Sequence, residues 1–400
     1  MFPKDTGRRW AWAGLLALAT SVPLAGCRGA PEQLQVSPTR AYVDARAALL
    51  VSADDPDPRV RTNAIEALAA TEGLRAGGVY MQSLRDDRLP VVAAAAMAVG
   101  ETRYEPARPV LEAMAADPRT PPKLMCSVIY ALHRLGNDAY TQRLGGLLRD
   151  EDMFVRAEAA RVMGKMGRPS AIGPLKALQR DDREAVVRLN VAEALALLGD
   201  EQSLGLLEAF TKSQMLEDRL IAVQALGKLR HMRAVTVLRR VGRDREQSPL
   251  VRVAAIGSLA SLGERENKEL VCWAARDPRG VLRSVLGRRA QIETRDAITL
   301  QTLAIGALEK MDNQLDVNTV YPLLRAERGP VKVASARAVL RLLRDYSPRG
   351  GELEAAATSA PAPAETADAP PEAEEPATQP IATTERPTPQ PKLHSSDAKD

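Results

Sequence analysis

Val60-Arg61-Thr62-Asn63-Ala64-Ile65-Glu66-Ala67-Leu68 is the stretch on which the fold turns, because the chain keeps returning to it. It recurs as Val155-Arg156 through Val162-Met163, as Val187-Arg188 through Ala194-Leu195, and as Val251-Arg252 through Ser258-Leu259. Weaker copies start at Val91, Leu124, Asp218, Leu300 and Val331, making nine. Successive starts lie 31, 33, 31, 32, 31, 33, 49 and 31 residues apart. A near-constant period of this size belongs to stacked helical units, not to one conventional core.

Within each copy, positions 0, +4, +7 and +8 are small or apolar and share one face at 3.6 residues per turn. The +4 residues are Ala64, Ala95, Val128, Ala159, Val191, Ala222, Ala255, Ala304 and Ser335. Side chains of that size let neighbouring helices approach closely. Four copies reach glycine at +12 (Gly136, Gly167, Gly199, Gly263), where a left-handed cap ends a helix at little cost. A second apolar run follows in most copies, for example Leu204-Gly205-Leu206-Leu207 and Val235-Thr236-Val237-Leu238. The unit is helix, turn, helix. One unit alone cannot bury its stripe, so nine must stack into an all-α solenoid.

These copies resemble the HEAT repeat family, and most closely its short bacterial form, the phycobilisome-lyase-type HEAT-like repeat. That pattern places an acid ahead of Val-Arg-x-x-Ala-x-x-Ala-Leu. Here an acid precedes the motif arginine by six residues at Asp55/Arg61, Asp150/Arg156, Asp182/Arg188 and Glu246/Arg252. The resemblance implies that such pairs form a ladder along the inter-repeat turns. It implies a right-handed α-solenoid over residues 38–346, with the second helices on the concave side and residues 38–52 as a capping helix. Copies three and six depart from the pattern, with Pro121-Pro122 replacing the acid and Asp218 at the valine position, and are expected to be distorted.

The composition narrows the function. The 400 residues are 26% charged and 3% aromatic, with three cysteines and three histidines. That excludes a disulfide-stapled scaffold or a histidine-rich metal protein and weakens a base-stacking surface. Three copies separate His133 from His231 and four separate Cys126 from Cys272, so neither pair can share a metal ion or a disulfide. No Gly-x-Ser-x-Gly, phosphate loop or His-Glu-x-x-His occurs. We therefore expect no cofactor, no metal, no small-molecule substrate and no catalysis. Asp54-Asp55-Pro56-Asp57-Pro58 reads as a helix N-cap with a first-turn proline.

The 49-residue interval is the main irregularity, an insertion at about 264–296. It carries Trp273 and Arg276, Arg279, Arg283, Arg288, Arg289 and Arg295. Arginine and tryptophan are typical interface anchors, which makes these seven residues candidate partner contacts. The plainer account is a degenerate half-repeat with solvent-facing arginines.

The ends differ from the body. Net charge is +2 over residues 1–26, +9 over 27–350 and −7 over 351–400. The first segment has a basic start and the apolar run from Trp10, as in a signal peptide. Leu24-Ala25-Gly26-Cys27 resembles the bacterial lipobox, which implies cleavage between Gly26 and Cys27 and acylation of Cys27. Residues 27–37 then form a short linker, and the protein is expected in the cell envelope on a lipid, with the outer membrane favoured. The proline-rich tail, 347–400, lacks the aliphatic residues to offset chain entropy and is expected to be disordered. The expected role is a protein-binding scaffold without nucleic acid. The alternatives are an anionic envelope polymer held in a basic groove, or a phycobilin-lyase-like enzyme.

Overall fold

Most repeats open with a local device that starts the helix. In the first, the Asp57 carboxylate accepts from the Arg59 N–H at 2.9 Å and Pro58 opens the helix. The Asp55 carboxylate accepts from the Asp57 N–H at 2.8 Å, so the acidic turn is built by its own aspartates. Asp152 and Ser248 cap two later helices in the same way. Gly136, Gly167, Gly199 and Gly263 all have positive φ, between 72° and 89°, as their place after the last helical turn requires.

The computed structural model describes residues 33–346 except Arg288. Gly26, Cys27 and the acidic tail lie outside the described residues. The helices are α1 (Pro38–Ser52), α2 (Pro58–Thr71), α3 (Gly77–Ser83), α4 (Leu89–Thr102), α5 (Arg108–Ala116), α6 (Pro122–Arg134) and α7 (Arg143–Leu147). Next come α8 (Met153–Met166), α9 (Ile172–Asp181), α10 (Ala185–Leu197), α11 (Ser203–Phe210), α12 (Leu216–Leu226) and α13 (Met232–Arg243). The last are α14 (Pro249–Ser261), α15 (Lys268–Arg276), α16 (Pro278–Leu286), α17 (Thr294–Met311), α18 (Val317–Val320) and α19 (Gly329–Leu342). No strand occurs among the described residues.

The nine motif helices are α2, α4, α6, α8, α10, α12, α14, α17 and α19. Each packs directly on the next, while the shorter helices lie behind this row, each against the motif helix that follows it. All nine +4 residues are 0% exposed. Close approach is enforced further along: a Cβ on Gly164 would lie 2.6 Å from the Ala194 Cα, and one on Gly100 would lie 2.8 Å from the Tyr130 ring. Pro122 simply starts α6, and the Ser213 hydroxyl donates to Asp218 at 2.8 Å, so copies three and six keep their places in the row instead of being distorted.

The row closes. α19 packs against α1 and α2 as each motif helix packs on its successor. A Cβ on Gly329 would stand 2.5 Å from the Val60 Cγ2, so the start of α19 meets the start of α2 with no axial step. The Gln35 N–H donates to the Asn318 Oδ1 at 2.8 Å, the Asn318 amide donates to the Gln33 carbonyl at 2.9 Å, and the Tyr321 hydroxyl donates to Asp44 at 2.7 Å. Nine units in one turn require a rotation of about 40° per repeat, a strongly curved solenoid. α1 therefore serves as the ninth outer helix between α19 and α2, where a cap on an open end was expected.

The insertion leaves the inner row intact. Its extra residues form α16 in the outer layer and lengthen α17, which begins at Thr294, six residues before Leu300. The other eight motif helices begin two residues before their own repeat start.

Candidate functional site

Closing the row turns one face of every motif helix toward a common lumen. Positions +6 and +10 carry that face. The +6 residues are Glu66, Met97, Tyr130, Arg161, Glu193, Gln224, Gly257, Gly306 and Arg337. The +10 residues are Ala70, Glu101, Arg134, Lys165, Leu197, Lys228, Ser261, Lys310 and Arg341. The first helices thus line the concave side, and the second helices, which the resemblance placed there, lie outside. The reason is packing: small +4 residues bring the first helices into direct contact at the tighter radius.

Three cavities open along this face, and Glu66 lines all of them. One of about 380 Å³ is largely apolar, with Leu89, Pro90, Met97 and Leu124 around Glu66 and Arg161. A second of about 580 Å³ joins Glu66 and Met97 to Glu101, Arg161 and Lys165. A third of about 250 Å³ lies at the closure, between Asn63, Glu66, Thr302 and Arg337.

Most of the charges in the lumen are paired. The Arg161 Nε donates to Glu158 at 2.8 Å. Lys165 pairs with Glu101 at 2.7 Å and rests over the Tyr130 ring, while the Arg337 Nε meets Glu309 at 2.8 Å. Lys228 is bonded to Glu193. Burial works against the charged form of Arg161, but Glu158, Glu193 and Glu66 outweigh it and raise its pKa. The lumen is therefore mixed in sign, although its +6 and +10 residues hold seven bases against three acids.

Glu66 and Lys310 stand apart. Both side chains are exposed to water, Glu66 at +6 and Lys310 at +10. Burial pushes the Glu66 carboxyl above its ordinary range, with Arg161, Lys165 and Arg337 pulling the other way. Burial pushes the Lys310 ammonium below its ordinary range; Glu309 opposes this, while Arg337 and Lys228 add to it.

The expected ladder exists in altered form. The Arg61 Nη1 donates to the main-chain carbonyl of Asp55 at 2.9 Å, and its fork takes the carboxylate of Asp86 in the next repeat at 2.8 and 2.9 Å. Arg156 likewise holds the Asp150 carbonyl at 2.9 Å and the Asp182 carboxylate at 2.7 and 3.2 Å. Arg188 then donates to the Asp182 carbonyl at 3.0 Å. The Arg61 and Arg156 rungs thus join one turn's backbone to the following turn's acid, while Arg188 holds the backbone of its own turn. Glu246 and Arg252 make no such rung. The turn there is folded by Asp244, which accepts from the Glu246 N–H at 3.0 Å, and Arg252 donates to the Gly242 carbonyl at 3.4 Å.

The insertion residues do not gather into one surface. Arg276 donates to the Thr319 hydroxyl at 3.0 Å and Arg279 to the Thr294 hydroxyl at 3.3 Å, both as local staples. Arg283 and Arg289 are exposed, Trp273 is 44% exposed on the outer layer, and Arg288 lies outside the described residues. Arg295 lines a further cavity of about 760 Å³ with Arg59 and Arg328, which shares Thr62 and Pro90 with the first lumen cavity and Asn63, Thr302 and Pro330 with the third. The lumen residues were overlooked in the sequence although Glu66 sits inside the quoted stretch. Their signal was a second periodicity, charge recurring at +6 and +10 opposite the core positions.

The remaining candidates have local roles. The His231 Nδ1 accepts from the Arg233 N–H at 3.1 Å as a helix cap, and the His133 Nδ1 lies 2.6 Å from Asp138. Cys126 is buried at 0% exposure, and burial pushes its thiol up to about 12. A maleimide at pH 8 should therefore label Cys126 only after denaturant is added. Fast labelling of the native protein at Cys126, read by peptide mass, would contradict this burial.

Residues 119–196, spanning α6 to α10, match the family model for HEAT repeats. No curated protein matches the chain. Among solved structures, the complex of CpcE and CpcF of phycocyanin lyase from Nostoc sp. PCC7120 is 21% identical with a TM-score of 0.34. The match covers 57% of this chain and 92% of that one. Human deoxyhypusine hydroxylase in complex with glycerol is 17% identical at a TM-score of 0.29, covering 62% and 99% respectively. An engineered protein is 14% identical at 0.28, covering 77% and 99%. The likeness is one of repeated helical architecture and reaches no further.

Proposed function

We propose that this chain, built of HEAT-like repeats, is a non-catalytic scaffold that holds a protein partner in its lumen and is tethered to the bacterial cell envelope by a lipid on Cys27. The observation that carries the reading is the lumen itself. Apolar walls at Leu89, Met97 and Leu124 stand beside charges of both signs, a combination suited to a polypeptide and not to a polymer of one repeated charge. The anionic-polymer reading loses support from the same pairing of acids and bases.

The tether rests on Leu24-Ala25-Gly26-Cys27 and the apolar run before it. No helix among the described residues is long and apolar enough to cross a membrane. Acyl chains on Cys27 would supply attachment, because two or more hold durably where one does not.

Photo-crosslinking in cells tests the interface. A crosslinker at Met97 should capture a specific protein, and the same group at Trp273 on the outer layer should not. Capture at Trp273 alone would place the interface elsewhere. Cys27→Ser should abolish fatty-acid labelling and release the protein from the membrane fraction; labelling that persists would remove the tether from the reading.

A further inference from the structure

By starting about one turn before its neighbours, α17 adds roughly 6 Å of helix at the rim where the inner helices begin. Arg295 stands on that added turn, and Ile298 and Thr299 follow it. With the first turns of α2 and α19 they wall the cavity of about 760 Å³, a volume that suits part of a molecule and far exceeds an ion site. Pro58, Pro90, Ile298 and Pro330 give it apolar sides. Its charges do not cancel. Asp57 is the one acid among the residues lining it, and Arg59 takes that carboxylate at 3.1 Å. The side chains of Arg295 and Arg328 make no hydrogen bond or ion pair with a described residue.

Two further observations select the occupant. The cavity runs into the lumen through Thr62 and Pro90, which it shares with the apolar cavity at Met97 and Leu124. Leu89, beside the shared Pro90, is 50% exposed. A polymer of repeated charge would leave these walls uncovered. The cavity also opens away from the tether. Gln33 and Gln35 bond to Asn318, just past the end of α17, so the segment that follows Cys27 meets the ring where the inner helices end. The two rims are about 20 Å apart along helices of this length. Resting on the reading of the chain as a protein-binding scaffold, we propose that this mouth receives an acidic segment of the partner protein. Its carboxylates take the guanidinium forks of Arg295 and Arg328, a pairing that arginine geometry favours. A bulky aliphatic side chain beside them turns inward toward Leu89, Met97 and Leu124. The insertion then acts through α17, as the wall that sets Arg295 in the same cavity as Arg328.

Fluorescence anisotropy with three labelled peptides tests this on the full-length protein. One repeats Glu-Glu-Leu, one is glutamate alone, and one repeats Lys-Lys-Leu. The first should bind about tenfold more tightly than either of the others. Arg295→Glu with Arg328→Glu should lower its affinity about tenfold and shift the preference to Lys-Lys-Leu, a reversal that unfolding cannot imitate. Arg283→Glu with Arg289→Glu, the same change of net charge at exposed residues outside this cavity, should leave both affinities unchanged. Equal binding of the glutamate peptide means that the apolar walls take no part. Equal loss in the Arg283 and Arg289 control means that net charge alone is read. Either result overturns the proposal, as does no binding of the Glu-Glu-Leu peptide. Tighter binding of phosphatidylglycerol vesicles than of that peptide, lost with Arg295 and Arg328, overturns it in favour of a lipid surface. If crosslinking from Met97 captures a partner while the peptides show no preference, the mouth fails and the scaffold stands. Silence in both assays removes the scaffold as well.

Discussion

Gly329→Leu should unlock the ring. The site for a side chain at residue 329 is already occupied by Val60, with a Cβ there 2.5 Å from the valine Cγ2. Overpacking of this kind costs about 1–3 kcal/mol, and here the strain falls on the one interface that joins the two ends of the array. The melting temperature should drop by roughly 3–8 °C. The radius of gyration from solution scattering should rise as α19 parts from α2. A converse experiment uses the same geometry. The Cβ position at Gly329 lies 3.4 Å from the Val60 Cβ, near the span of a disulfide. Val60→Cys with Gly329→Cys should therefore oxidise to a bridged chain of greater electrophoretic mobility. A double variant that stays reduced under mild oxidant, with scattering unchanged in Gly329→Leu, would mean that the ends do not meet.

Asp182→Ala should be the most damaging change in the ladder. The Asp182 carboxylate takes both arms of the Arg156 fork and the Glu184 N–H, and its side chain is only 3% exposed. Removing it leaves the Arg156 guanidinium half-satisfied in a protected site, which costs about 1–3 kcal/mol. Burial works against the charge of Asp182, but the Arg156 fork and the Glu184 N–H outweigh it and hold the carboxyl below its ordinary 3.8. The stabilisation is thus complete above about pH 4 and fades as pH falls through the lowered native value. Chemical denaturation at pH 7 should show the full loss in Asp182→Ala, shrinking toward pH 2. A loss of less than about 1 kcal/mol at pH 7 would reduce this rung to an ordinary surface pair.

The period of the chain revealed the inner helices, their caps and their close-packed +4 positions, because each of those is a property of one repeat. Gly164 against Ala194 needs nothing beyond its own neighbourhood. Closure is different in kind. It depends on a small rotation accumulated nine times, and no residue encodes the sum; Gly329 looks like any loop glycine until Val60 is set beside it. The lumen was hidden for a related reason. A glutamate at +6 and a lysine at +10 read as solvent-facing residues on an amphipathic helix, and only closure turns open solvent into an enclosed space. The ladder was half legible. The acid six residues before each arginine was visible, but Arg61 uses the carbonyl of that residue and the carboxylate of the following turn, a partner that a single repeat does not contain.

Because the array is a ring, its repeats come in a fixed number. An open solenoid can gain or lose a unit at either end and merely change length. Here the contact between Gly329 and Val60 exists only if the turns add up to one full circle, so a tenth inner helix or a missing one leaves a gap or a collision. Growth is confined to the rim. That is where the 49-residue interval adds its length, as α16 behind the inner row and as an earlier start to α17, while the count of inner helices stays at nine.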